Sequence, residues 1–185
     1  MKDITVSDIE VLWDKTKIDG EISRIAKAID SRVKNYDSVN LIPILSGSVM
    51  FVSDLMSQLE DLRPGFYKMF PLIVKSYGNE LESQGTKIYG DEFLKDSLDK
   101  DSPTIVVDDL MDTGETLLKV KQSVEKICNE PVLTAVLLNK HGKRKHVIEP
   151  DYYCFSLNDK SWVVGYGMDY KGKFRGLNYV GTIFN

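Results

Sequence analysis

The stretch that decides the fold is Ile105-Val106-Val107-Asp108-Asp109-Leu110-Met111-Asp112-Thr113-Gly114-Glu115-Thr116. Thr104 to Val107 is an apolar run short enough for a buried strand, and acids break it off at Asp108. A helix then opens at about Thr116 and runs to Cys128, with Leu117, Val120, Val124 and Ile127 on one face. In open α/β sheets, ligands bind outside the carboxyl ends of the strands, where this segment changes character. A Thr-Gly-x-Thr turn at a helix N-terminus offers backbone amides and two hydroxyls to a phosphate. The adjacent carboxylates Asp108 and Asp109 would repel that phosphate if aimed at it, so they suit sugar hydroxyls or a hydrated Mg²⁺. A phosphate cradle beside a diol reader suggests a ribose phosphate. Taken singly, Asp108, Asp109 and Asp112 read equally well as helix-capping or solvated acids.

Outward from this centre the chain keeps an α/β rhythm. Ile22, Ile25, Ala26 and Ile29 predict a helix over 18–33, Val39 to Leu45 a buried strand, and Val52, Leu55, Met56 and Leu59 a helix over 49–59. Leu72-Ile73-Val74 predicts a further strand. Ser76 to Thr86, with Gly78, Asn79, Ser83, Gln84 and Gly85, has nothing to pack and reads as an exposed loop. Val132 to Leu138 predicts the strand after the central helix, and strand, helix, strand in this order implies parallel pairing. Tyr152 to Leu157, Trp162 to Met168 and Tyr179 to Phe184 are shorter β-like runs, giving a sheet of at least about five strands.

Composition narrows the class. The chain has 185 residues, 42% of them hydrophobic, which suits one domain with small appendages. A formal net charge of −4 argues against a dedicated nucleic-acid or anionic-membrane binder. Cys128 and Cys154 have no metal-ligand spacing, and the first ten residues lack the apolar core of a signal peptide, so a cytoplasmic protein is expected. No apolar stretch approaches the ~20 residues that cross a bilayer.

Other acidic and glycine-rich signatures fail on spacing. A dehalogenase-type nucleophile motif needs Asp-x-Asp-x-Thr, which Leu110-Met111 interrupts, and a response-regulator acidic pair belongs on a first strand. No Gly-x-x-x-x-Gly-Lys-Ser/Thr loop occurs, and Gly165-Tyr166-Gly167 has Tyr170 where a dinucleotide fingerprint needs its third glycine.

The 105–116 segment resembles the phosphoribosyltransferase signature: an apolar strand, two acids, two variable residues, then Asp-Thr-Gly-x-Thr. From about Val39 to Ile183 the chain resembles the hypoxanthine-guanine phosphoribosyltransferase family. Leu45-Ser46-Gly47-Ser48 is similar to its pyrophosphate loop, and Lys75-Ser76-Tyr77-Gly78-Asn79 to the start of its catalytic lid. Trp162 to Tyr170 and Phe174-Arg175-Gly176-Leu177-Asn178 are similar to its purine and pyrophosphate segments. The resemblance implies a type I phosphoribosyltransferase fold. That is a central, mostly parallel sheet flanked by helices, in a single domain over 1–185 whose small hood comes from roughly 1–20 and 150–185.

The resemblance also implies roles. Asp108 and Asp109 would lie near the ribose hydroxyls and metal, Asp112 near purine N7 as proton acceptor, and Asp112, Thr113, Gly114, Glu115 and Thr116 around the 5-phosphate. Lys140 would meet the purine 6-oxygen, Trp162 would stack on the ring, and Val163 would read the base edge through its backbone. Asp169 would bind a second Mg²⁺ beside the purine, while Ser46, Gly47 and Arg175 would meet pyrophosphate. Ser76 and Tyr77 would close over the reactants. The implied cofactor is Mg²⁺, the implied substrates are phosphoribosyl pyrophosphate and a 6-oxopurine, and the implied assembly is a homodimer or homotetramer. A cis peptide at Leu45-Ser46 is implied too. The family's loop often carries a lysine where this chain has Ser46.

The chemistry of the side chains agrees in part. Lysine is donor-only, so Lys140 suits a 6-oxo group better than adenine's 6-amino group. Without the resemblance, Trp162 reads as a core aromatic and Lys140 as the start of a solvated basic turn, Lys140-His141-Gly142-Lys143-Arg144-Lys145-His146. That turn supports a rival reading, a regulatory protein of the same fold that binds nucleotide and RNA. A transferase preferring xanthine or a pyrimidine is a second rival.

Overall fold

The computed structural model describes residues 4–75 and 87–183. Its main sheet is built from β2 (Val39–Leu45), β3 (Tyr67–Met69), β4 (Leu72–Lys75), β5 (Lys87–Tyr89), β6 (Thr104–Met111), β7 (Val132–Lys140) and β8 (Tyr152–Leu157). The order is β5-β4-β2-β6-β7-β8, with β3 also pairing with β2. The β2–β6, β6–β7, β7–β8, β2–β4 and β2–β3 pairs are parallel, and only the β4–β5 pair is antiparallel.

Parallel strands covered on both faces must be apolar at successive positions, and β2, β6 and β7 are. Their two-residue alternation divides the core. Leu41, Ile105 and Val107 face the layer of α1 (Lys15–Arg32) and α2 (Val49–Leu62), whereas Ile42, Ile44, Val106 and Val136 face α3 (Asp91–Ser97) and α4 (Glu115–Glu125). Helix α1 buries Ile18, Ile22, Ile25, Ala26 and Ile29, one stripe at steps of three and four, and packs on α2. Burying each such isoleucine contributes about 1.5–3 kcal/mol.

A second, antiparallel sheet of order β1-β10-β9 joins Ile9–Trp13, Val180–Ile183 and Trp162–Val164, uniting segments near the two ends of the chain. Tyr152–Leu157, expected within the hood, pairs with β7 in the main sheet instead. Residues 15–20 lie in α1 and likewise belong to the main layer.

Other boundaries move for physical reasons. Strand β6 does not stop at Val107: Asp108, Leu110 and Met111 stay in register with Val136, Leu138 and Asn139 of β7. The β9 strand ends at Val164, because Gly165, Tyr166 and Gly167 all take positive φ (88°, 50° and 101°) and turn the chain. Among the described residues, no helix is long and apolar enough to cross a membrane.

Candidate active site

The carboxyl ends of β2, β4, β6 and β7 open on one side of the main sheet, and β9 of the small sheet faces them. Between lies a cavity of about 690 Å³. Asp108, Asp109, Asp112 and Thr116 line it from the β6–α4 segment, and Ser46 and Gly47 from the loop after β2. Lys140 enters from the end of β7, while Trp162, Val163, Asp169 and Arg175 close it from the small-sheet side. Thr113 and Gly114 line an adjoining recess of about 110 Å³ with Asp112 and Thr116. Ser76 and Tyr77 lie outside the described residues.

The recess is made by the start of α4. Gly114 occupies the N-cap position with φ of 83°, a left-handed conformation that L side chains rarely adopt, and the Thr113 hydroxyl accepts from the Glu115 amide at 3.3 Å. The helix dipole favours negative charge at this turn. A Cβ on Gly114 would stand 2.9 Å from Ile148 Cγ2 and 3.5 Å from Arg144 Cδ, so the turn is backed closely. The Lys145 and His146 amides both donate to the Thr113 carbonyl, at 3.0 and 3.2 Å, clamping the turn from behind. Glu115 lines neither space, and its carboxylate pairs with Lys119 one turn along α4.

Asp108 and Asp109 sit side by side at the end of β6. Burial, then the neighbouring Asp109 charge, pushes the Asp108 carboxyl well above its ordinary range, and burial raises Asp109 as well. The two side chains hydrogen-bond each other, and each also accepts from backbone: Asp109 N–H donates to Asp108 Oδ1 and Leu110 N–H to Asp109 Oδ1, both at 3.0 Å. A buried and a half-buried carboxylate bordering the cavity form a hard oxygen donor set that suits Mg²⁺. Among the described residues, no group of three or more His, Cys, Asp or Glu side chains is placed to hold a metal.

Asp112 has a different environment. Its Oδ1 is buried without a hydrogen-bond partner, and its Oδ2 lies 3.8 Å from Lys143 Nζ. A buried acceptor left unpaired is costly, and beside a cavity it points to a donor on a bound molecule.

Lys140 and Trp162 reverse their bland readings. Lys140 is buried at 2% exposure at the end of β7, its ammonium donating to the Ser161 carbonyl, and desolvation lowers its pKa. Trp162 is no core residue. It is 46% exposed on the cavity wall, its indole N–H donates to the Asp169 carbonyl at 2.8 Å, and Tyr170 meets it edge-on. Asp169 is held by Arg175 at 2.6 Å and by the Gly172 amide at 2.6 Å.

Sequence reasoning overlooked Lys143, which lines the cavity and stands 5.6 Å over the Trp162 ring. Its only signal was its place three residues after Lys140. It overlooked Met168 and Ile73 as wall residues too, since neither carries a chemical signature. The basic turn is less solvated than expected. Arg144 donates inward to the Ile148 and Lys140 carbonyls and to Asn139 Oδ1. The Leu45-Ser46 peptide is cis.

The model of the phosphoribosyl transferase domain matches residues 12–171. The chain belongs to the phosphoribosyltransferase family. A hypoxanthine-guanine phosphoribosyltransferase from Streptococcus pneumoniae is 32% identical over 166 residues, 88% of each chain. A hypoxanthine phosphoribosyltransferase from Escherichia coli is 29% identical over 180 residues, 95% of each. In structure, the chain superposes on a Trypanosoma cruzi hypoxanthine phosphoribosyltransferase in complex with the product IMP. The TM-score is 0.83 at 25% identity, covering 98% of each chain. The type I phosphoribosyltransferase fold follows from these likenesses.

Proposed function

We infer that this chain is a purine-salvage transferase. It moves the 5-phosphoribosyl group of phosphoribosyl pyrophosphate to N9 of hypoxanthine or guanine, giving IMP or GMP and pyrophosphate. The observation that carries the reading is the buried, unpartnered Asp112 Oδ1, placed where the α4 recess meets a cavity walled by Lys140 and Trp162.

In this reading the 5-phosphate takes the amides and hydroxyls of Thr113 to Thr116. Asp108 and Asp109 hold the ribose hydroxyls. The purine lies on Trp162 with its 6-oxygen toward Lys140 and its edge against the Val163 backbone. Arg175, Ser46 and Gly47 receive pyrophosphate. Asp108 and Asp109 would hold one Mg²⁺ and Asp169 a second, each with substrate oxygens, and the metal would supply positive charge against the leaving pyrophosphate. The bond from C1 to the pyrophosphate oxygen breaks with its electron pair leaving on oxygen, N9 forms the new bond to C1, and Asp112 Oδ1 accepts the N7 proton. The small sheet and β4 wall the reacting carbon from water, the competing nucleophile.

The RNA-binding rival is weakened, because two cations of the basic turn, Lys140 and Arg144, are directed into the protein. Both cysteines are free thiols, which suits a cytoplasmic setting, and the reading includes a homodimer or homotetramer.

The test offers Mg²⁺ and phosphoribosyl pyrophosphate with hypoxanthine, guanine, xanthine, adenine or uracil, and separates base from nucleotide chromatographically. Conversion of hypoxanthine or guanine, lost on chelating Mg²⁺, is the expected outcome. Preference for xanthine would change the substrate, and no nucleotide from any base would overturn the reading.

A further inference from the structure

Asp54 lies on α2, five residues beyond its first residue, Val49, and outside the cavity wall. It joins three parts of the molecule. Its carboxylate accepts the Tyr166 hydroxyl and lies 3.1 Å from Lys15 Nζ, in the first turn of α1. The Lys15 ammonium also sits 5.8 Å from the centre of the Tyr166 ring.

Tyr166 is fully buried, yet its backbone is left-handed, with φ of 50° between two glycines that are left-handed as well. Tyrosine does not adopt that conformation by local preference, so surrounding contacts must hold it. The turn is tied to the segment after it: Tyr166 N–H donates to the Leu177 carbonyl at 2.8 Å and Gly167 N–H to the Arg175 carbonyl at 2.9 Å. In return, Arg175 Nη1 donates to the Gly167 carbonyl at 2.6 Å, and Nη2 pairs with Asp169. The same turn presses on the loop after β2, since a Cβ on Gly167 would stand 1.9 Å from the Gly47 carbonyl oxygen.

Helix α2 therefore governs both sides of one gap. Its N-terminus continues directly from Leu45-Ser46-Gly47-Ser48, and Asp54 grips the turn that carries Arg175. The loop has no charge of its own, so the cation facing it from that turn must be placed accurately. We propose that the Asp54–Tyr166 hydrogen bond is a strut that sets Arg175 against the Leu45–Ser48 loop. Asp54 and Tyr166 are then positioning residues for the pyrophosphate half of the donor substrate. The proposal rests on the transferase reading above. The strut's effect falls more on the donor substrate than on the base, because it ends at Arg175, and Trp162 bonds the Asp169 backbone carbonyl and meets Tyr170, not the carboxylate that Arg175 holds.

Tyr166→Phe keeps the buried ring and deletes the hydroxyl, and Asp54→Asn keeps the side-chain volume should the first variant fail to fold. Steady-state kinetics with each substrate, calorimetric binding of pyrophosphate with Mg²⁺, and melting temperature are read for both variants and the parent chain. The expected result is a rise of about 10-fold in KM for phosphoribosyl pyrophosphate and in the Kd for pyrophosphate, the size of losing one hydrogen bond to a charged group. KM for hypoxanthine stays within about two-fold. In an Arg175→Gln background, Tyr166→Phe adds no further loss, because the strut acts through Arg175. Unchanged pyrophosphate binding, equal losses for both substrates, or independent multiplication of the two substitutions would each overturn the proposal. A parent chain that binds pyrophosphate but forms no nucleotide would overturn the transferase reading alone, and the binding comparison would still judge the strut.

Discussion

The Cα of Gly47 lies so close to the Asp109 carboxylate that a β-carbon at position 47 would stand 2.2 Å from Asp109 Oδ2. The loop after β2 and the acidic end of β6 are thus built in contact, and glycine is what allows it. Gly47→Ala must turn the Asp109 carboxylate away or push the loop out. Misplacing a reacting group by about 1 Å can cost about 10²-fold in rate, so kcat/KM for phosphoribosyl pyrophosphate should fall by about that factor. Because the displaced atoms border the cavity and not the core, the melting temperature should move by no more than about 3 °C. Activity close to that of the parent would show that the contact has no catalytic meaning.

Asp112 supplies a sharper test of mechanism. Its buried Oδ1 has no partner, so Asp112→Asn changes the chemistry of an acceptor while keeping its shape. Losing a proton acceptor typically costs about 10²–10⁴-fold. We expect kcat to fall in that range while phosphoribosyl pyrophosphate still binds the α4 recess, as calorimetry would show. Equal loss of binding and turnover would make Asp112 a phosphate-site residue and not the acceptor.

Much of this site was legible because its chemistry is local in sequence. The 105–116 segment carries strand, acids, glycine turn and helix start in twelve consecutive positions, and the fold brings Asp108, Asp109, Leu110, Asp112 and Thr116 of it to the cavity wall. What escaped notice depends on pairing across the chain. β1 has the burial pattern of neither a buried nor an alternating strand, and its partners Val180 to Ile183 lie at the far end of the sequence. The short strands β3 and β5 and the helix α3 carry too few residues for a periodic signal. The continuation of β6 through Asp108 and Asp109 was hidden because acids seldom lie inside a buried parallel ladder. The register with β7 holds them there.

Lys140, proposed to meet the purine 6-oxygen, also bears on stability. Burial lowers its pKa, with the charge of Asp112 opposing that shift. At neutral pH the lysine is charged in both folded and unfolded chains, and the folded chain bears the desolvation penalty. As pH rises through the lowered folded value toward 10.5, the folded chain releases a proton that the unfolded chain keeps, so this group's contribution to stability increases with pH. Lys140→Met should therefore melt higher than the parent near pH 7, with the difference shrinking as pH approaches 10, while hypoxanthine use collapses. A difference that widens with pH would contradict burial as the dominant cause.

Trp162 lets stacking be measured apart from folding. Its ring is 46% exposed and held by one hydrogen bond to the Asp169 carbonyl and an edge contact with Tyr170, so little core packing depends on it. Base–aromatic stacking is worth about 1–3 kcal/mol, which converts to about 5- to 150-fold in binding. Trp162→Ala should raise KM for hypoxanthine by a factor in that range. Trp162→Phe should recover most of the loss, because a smaller π-face remains although the indole N–H bond is gone. KM for phosphoribosyl pyrophosphate should stay nearly constant in both, since its proposed contacts lie on the α4 recess and the Leu45–Ser48 loop. If Phe restores nothing, the hydrogen bond to the Asp169 carbonyl is the important feature. Trp162 would then act by placing Asp169 instead of carrying the base.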